Sequence, residues 1–64
     1  MDIVSKITEF EGGQLTGNEA LELFSELLKT GTIYSLQGYY QRTMNDLIRN
    51  GFIDKKGNIL RNFE

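Results

Sequence analysis

The stretch Ile33-Tyr34-Ser35-Leu36-Gln37-Gly38-Tyr39-Tyr40-Gln41-Arg42-Thr43-Met44-Asn45-Asp46-Leu47-Ile48-Arg49 is closed by Asn50-Gly51 and followed by Phe52-Ile53-Asp54-Lys55-Lys56-Gly57-Asn58-Ile59-Leu60. Its pattern predicts a helix, a stop and a small hairpin. Wound at about 100° per residue, Ile33, Leu36, Tyr40, Thr43, Met44 and Leu47 fall on one side, and Gly38, Gln41, Arg42, Asn45 and Arg49 on the other. The start lies between Thr32 and Leu36, because Thr32 and Ser35 both carry a capping hydroxyl. At the far end Asn50-Gly51 tolerates positive φ, and Arg49 sits in the last turn, where a cation suits the carbonyl end. Phe52-Ile53-Asp54 and Asn58-Ile59-Leu60-Arg61 then flank Lys55-Lys56-Gly57, short enough for a β-hairpin with Gly at the turn. Two strands alone are marginal in water, so Phe52, Ile53 and Ile59 or Leu60 must pack on the helices.

Upstream, Asp2 is placed to cap a first helix in which Ile3, Val4, Ile7 and Phe10 share a face, with Gly12-Gly13 as its end. Thr16-Gly17-Asn18-Glu19 has the spacing of a capping box, in which the Thr hydroxyl accepts from the Glu amide and the Glu carboxylate reaches back. The helix it opens turns Ala20, Leu21, Phe24, Leu27 and Leu28 inward, with Leu23 at the margin and Glu19, Glu22 and Glu26 toward solvent. Gly31 is placed as its left-handed stop. No proline interrupts an element, and there is no repeat, low-complexity linker or second domain. Residues 1–64 are expected to form one mainly α domain of three helices with a small C-terminal β-hairpin, in winged-helix-like order. Its core is expected from Ile3, Ile7, Phe10, Leu15, Phe24, Leu27, Leu28, Leu36, Tyr40, Leu47, Ile53 and Ile59.

A 64-residue domain leaves a large share of its surface in water. With no Cys and no His, disulfide staples and the usual zinc ligand sets are excluded, leaving packing, caps and self-association to stabilise the fold. A homodimer is compatible with that shortage. The start Met1-Asp2-Ile3-Val4-Ser5-Lys6 lacks the basic opening and long apolar run of a signal peptide, and no segment approaches the roughly 20 apolar residues that cross a bilayer. A soluble, cytoplasmic protein without a membrane partner is expected. Charge is polarised. From Met1 to Thr32 the acids Asp2, Glu9, Glu11, Glu19, Glu22 and Glu26 face only Lys6 and Lys29, whereas from Ile33 onward Arg42, Arg49, Lys55, Lys56 and Arg61 outnumber Asp46, Asp54 and Glu64.

Catalysis finds little support, since the commonest general base and the readiest nucleophile are missing. Glu19, Glu22 and Glu26 recur at helical offsets on an outer face and read as a solvated surface, with no ligand set to hold a metal. Gly12-Gly13 follows no strand and precedes no Lys-Ser or Lys-Thr, so it reads as a turn and not a phosphate loop. No cofactor is expected. DNA binding has a topological basis: the third helix takes the place of a recognition helix, Lys55-Lys56 sits at the wing tip, and Gln41, Arg42, Asn45 and Arg49 suit base edges or phosphates. Against it stand the net charge of −2 and Asp46, which is spaced to pair with Arg42 and Arg49. Protein binding is favoured by the mixture of Arg, Asn and Gln around Gly38, with Tyr39 at its flank. Gly38 is a helical cost of about 0.5–1 kcal/mol relative to Ala, which is explained either by something approaching the backbone or by a place in the first turn.

The residues Glu22-Leu23-Phe24, Leu28, Thr30-Gly31, Leu36-Gln37-Gly38, Tyr40, Arg42, Leu47-Ile48 and Gly51 resemble a group of short uncharacterised proteins of tailed bacteriophages. In these an acidic amphipathic helix leads into a Leu-Gln-Gly-x-Tyr-x-Arg segment and a Leu-Ile-x-x-Gly ending. The resemblance covers roughly Phe10 to Ile53, and Gln41 departs from it where a small residue is usual. It implies a phage origin and a bacterial host cytoplasm. Small phage proteins of this kind often bind and alter a host protein. A non-enzymatic binding protein is therefore expected, engaging a bacterial host protein through Gln37, Gly38, Gln41, Arg42, Asn45 and Arg49. DNA binding by the same helix with Lys55 and Lys56 is the alternative.

Overall fold

The computed structural model describes residues 2–63. Three α-helices, α1 (Ile3–Glu11), α2 (Gly17–Thr30) and α3 (Gly38–Arg49), are joined by short turns, with a 3-10 turn over Thr32–Ser35 between the last two. Local chemistry sets the boundaries. The Asp2 carboxylate accepts from the Ser5 amide and, at 2.8 Å, from its hydroxyl, which starts α1. Both halves of the expected capping box form: the Glu19 amide donates to Thr16 Oγ1 at 3.2 Å, and Glu19 Oε1 accepts from the Thr16 amide at 2.9 Å. These bonds hold the Asp2 and Glu19 carboxyls below their ordinary pKa values, chiefly through Ser5 and Thr16 respectively. Gly31, left-handed at φ 78°, stops α2.

The chain does not enter α3 between Thr32 and Leu36. The Thr32–Ser35 segment winds one tight turn, with Tyr34 N donating to Gly31 O, and Leu36 and Gln37 are then extended. Gln37 is the N-cap without a side-chain bond, and Gly38 is the first helical residue. Neither expected hydroxyl caps α3. The physical reason lies in α2: the Thr30 hydroxyl bonds the Thr32 hydroxyl at 2.8 Å and accepts from the Thr32 amide, tying that side chain to the helix already ended. The close of α3 is as expected, with Gly51 at φ 79° and the Phe52 amide donating to Leu47 O.

α2 is the spine of the core. Leu21, Leu23, Phe24 and Leu27 are buried from it, joined by Ile33 of the 3-10 turn, Tyr40 and Met44 of α3, and Ile53 beyond. Leu23, expected at the margin, is fully buried at 0% exposure. The segment after α3 covers the flank of α2 that carries Asn18, Ser25 and Lys29. α1 contributes no fully buried residue; its Ile3, Ile7 and Phe10 pack half-buried against the others. Phe10 meets Phe24 edge-on with centroids 5.4 Å apart and Tyr40 at 5.8 Å, and this aromatic group fixes α1 to α2 and α3.

Among the described residues the expected C-terminal hairpin is not present as strands. A single antiparallel bridge, Ile53 to Ile59, is all that forms. The arms are short because Asp54 takes over the turn: Oδ1 accepts from the Lys56 and Asn58 amides at 2.9 Å each, and Oδ2 from Asn58 Nδ2. Those bonds, Asn58's first, lower the Asp54 pKa. Past Leu60, side chains and α2 divert the strand path. Arg61 stacks 4.3 Å over the Phe52 ring and donates to Asn50 O, and the Phe63 amide donates to Asn18 Oδ1. Ile59, expected in the core, is 37% exposed as a result. The turn itself is docked. Gly57 is buried with its carbonyl accepting from Ser25 Oγ, and a Cβ on Gly57 would come 3.1 Å from Ser25 O. Among the described residues no helix is long and apolar enough to cross a membrane.

Candidate functional site

The interruption between the 3-10 turn and α3 creates an open cleft of about 250 Å³. Leu28 of α2, Ile33 and Tyr34 of the 3-10 turn, and Gln41, Met44, Asn45 and Ile48 of α3 line it. Its floor is aliphatic and sulfur-bearing; its rim is a phenol and two carboxamides. Met44 and Ile33 are buried and fixed by the core, whereas Tyr34 is 72% exposed, an aromatic ring lying largely in water. The side chains of Tyr40 and Thr43 in α3, and of Asn50 just beyond it, bond to Glu11, Tyr39 O and Asp46 O. Gln41 and Asn45 make no side-chain hydrogen bond among the described residues, and no buried side-chain polar atom there lacks a partner. Their donors and acceptors are therefore solvated and available.

The six residues singled out on the third helix divide into two stripes. Gln41 and Asn45 line the cleft; Gln37, Gly38, Arg42 and Arg49 do not, although all four are exposed. Arg49 lies 4.0 Å from Asp46 in a pair whose side chains are 79% and 68% exposed, too open to hold either charge firmly. Arg42 has no ion pair among the described residues. Gly38 occupies the first turn, and a Cβ there would meet only the Arg42 guanidinium at an ordinary 3.5 Å. Of the two explanations for Gly38, the structure thus matches the first-turn placement; nothing among the described residues crowds its backbone. Lys55 and Lys56 are exposed on the docked turn and are not part of the cleft.

Four apolar cleft residues and Tyr34 were not among the residues singled out. Leu28 was expected in the core, and Ile33 and Met44 only on the apolar side of the third helix; all three pack in the core cluster while also flooring the cleft. A signal for the rest was present. Tyr34, Gln41, Asn45 and Ile48 are separated by seven, four and three residues, the spacing of one helical face. Tyr40 behaves as the ring of a core edge, its hydroxyl donating to Glu11 Oε2 at 2.6 Å. Burial first, and then the Glu11 carboxylate, push its pKa up to about 12.

Among the described residues no three His, Cys, Asp or Glu side chains gather as a metal site. Fold and cleft define a small helical domain with an open, part-apolar recess beside its last helix. The chain belongs to the family described as a domain of unknown function, DUF7417, which it matches over residues 1–64. No curated protein and no solved structure matches it.

Proposed function

We propose that this chain is a non-enzymatic binding protein of bacteriophage type, working in the bacterial cytoplasm by engaging a host protein through α3 and the cleft beside it. The observation that carries this is the pairing of an aliphatic recess with unbonded polar groups at its rim: Leu28, Ile33, Met44 and Ile48 below, Tyr34, Gln41 and Asn45 above. A largely exposed tyrosine beside a recess is the arrangement expected of an anchor that gains area only when a partner covers it. Arg42, one residue beyond Gln41, is exposed on the neighbouring stripe of α3, outside the cleft.

Affinity capture from a bacterial lysate tests the proposal. Wild type is expected to retain a discrete protein that the paired changes Gln41→Ala and Asn45→Ala release, with Arg42→Ala plus Arg49→Ala weakening retention less. Equal retention by all three baits would place binding elsewhere. DNA binding by α3 with Lys55 and Lys56 predicts instead an affinity for random duplex DNA that falls steeply with salt. No binding at low salt eliminates it.

A further inference from the structure

We propose that Asn50 is a site of spontaneous deamidation, that the closure of α3 around it sets how fast the reaction runs, and that the product loosens that closure. Asn18, Asn45, Asn50, Asn58 and Asn62 are the asparagines of the chain, and only Asn50 precedes a glycine. That neighbour decides the chemistry. The reaction begins when the backbone nitrogen of the following residue attacks the side-chain carbonyl carbon, and a glycine there has no Cβ to obstruct the approach. The new bond joins Gly51 N to Asn50 Cγ; the Cγ–Nδ2 bond breaks, and Nδ2 leaves as ammonia with the proton that Gly51 N gives up. Water then opens the resulting five-membered imide at one of its two C–N bonds. Opening at Cγ leaves aspartate, and opening at the main-chain carbon leaves isoaspartate, in which the chain runs through the former side chain.

The folded chain exposes the group and withholds the geometry. Asn50 is exposed as the C-cap of α3, so water and base reach it. At ψ 2°, however, Gly51 N is eclipsed with the nitrogen of Asn50 itself, a third of a turn about the Cα–C bond from the Cβ that must carry Cγ to it. Both reacting groups are also engaged: Asn50 Nδ2 donates to Asp46 O at 2.8 Å, and the Gly51 amide donates to Ile48 O at 3.1 Å. Arg61 Nη2 donates to Asn50 O at 2.9 Å, which resists rotation of the same peptide. Attack therefore requires the end of α3 to open, and a helix end held by exposed hydrogen bonds opens more readily than a core.

Conversion undoes the cap that delays it. The amide donor to Asp46 O is replaced by a carboxylate that can only accept, one turn beyond the Asp46 carboxylate and at the negative end of the helix dipole. Isoaspartate adds a main-chain atom between positions 50 and 51. There the Gly51, Phe52 and Ile53 amides close α3 on Ile48 O and Leu47 O and lead the chain to the buried Ile53 side chain.

The test incubates the full chain at mildly alkaline pH, with and without denaturing urea, and digests it with trypsin, which releases residues 50–55 and 57–61 as peptides carrying Asn50 and Asn58. Mass spectrometry reads the amide-to-acid conversion, and an isoaspartate methyltransferase reads the isoaspartate share. In the native chain Asn50 is expected to convert about tenfold faster than Asn58, which precedes the β-branched Ile59. Urea is expected to speed Asn50 by about tenfold more. Arg61→Ala, folded by far-ultraviolet circular dichroism, is expected to speed native conversion about threefold, the worth of a hydrogen bond, and to leave the rate in urea unchanged. In Asn50→Asp the Gly51, Phe52 and Ile53 amide hydrogens are expected to exchange about tenfold faster than in wild type, with the centre of α2 unaltered. Native conversion at Asn50 no faster than at Asn58 would overturn the site. Equal rates in folded and urea-unfolded chain, or in native wild type and Arg61→Ala, would overturn the control by the cap, and unaltered exchange in Asn50→Asp would overturn the loosening.

Discussion

Gly57 and Gly38 are both glycines beside an element boundary, and their surroundings give them opposite roles. Gly57 is buried at φ 94°, where a Cβ would lie 2.8 Å from Lys29 Cγ and 3.1 Å from the Ser25 carbonyl oxygen. Gly57→Ala combines left-handed strain with a backbone contact, and a loss of about 1–3 kcal/mol is expected in urea unfolding. Gly38 has helical geometry and open space around it, so Gly38→Ala is expected to be neutral or to stabilise by up to about 1 kcal/mol, as the same measurement checks. A clear destabilisation would show that something crowds the Gly38 backbone after all. Tyr40 carries the alkaline limit of stability. Its folded pKa of about 12 exceeds the ordinary tyrosine value, so between about pH 10 and 12 the unfolded chain has released a proton that the folded chain retains. Stability therefore falls as pH rises through that window. Tyr40→Phe is expected to flatten the fall while losing the bond to Glu11, about 0.5–1.5 kcal/mol near neutral pH.

At the scale of elements, capping chemistry was plainly written in the sequence and tertiary diversion was not. Thr16 to Glu19 and the Gly31 and Asn50-Gly51 stops act through atoms a few residues apart, so α2 and the end of α3 form where their local chemistry places them. The start of α3 was open between two hydroxyls, and the turn that separates Ile33 from Gly38 follows from a Thr30–Thr32 contact that no periodicity reveals. The hairpin failed for a comparable reason. Its residues have the right types, but Asp54 gathers the turn amides and the Phe63 amide finds Asn18, forty-five residues away in sequence. Asp2, Glu19 and Asp54 all hold depressed carboxyl pKa values through bonds at element ends. Below the ordinary carboxylate range the unfolded chain binds these protons first, so stability is present above that range and is lost as pH falls through the lowered values. An acid titration followed by circular dichroism should show this loss, and Asp54→Ala should reduce its amplitude. α1, with no fully buried residue, is expected to exchange its amide hydrogens faster than the centre of α2.

Across the whole molecule, most of the core was legible because apolar spacing at helical period marks it without knowledge of neighbours; Phe24, Leu27, Tyr40 and Ile53 are buried as expected. Leu23 and Ile59 depart from the expected core in opposite directions, Leu23 fully buried and Ile59 37% exposed. The polar stripe of α3 was visible as a set of side chains, but its division was not. Only the break before Gly38 and the nearness of Leu28 turn Gln41 and Asn45 toward a recess and leave Arg42 and Arg49 outside. The central claim is that this recess is where a partner binds. The most direct measurement places a photo-reactive benzoylphenylalanine at position 34, and separately at position 4 on α1 as an equally exposed control, in the full chain expressed in bacterial cells. Irradiation is predicted to give a discrete protein adduct from position 34 and none from position 4. An absence of adduct at 34, or the same adduct from both positions, would contradict the assignment of the cleft.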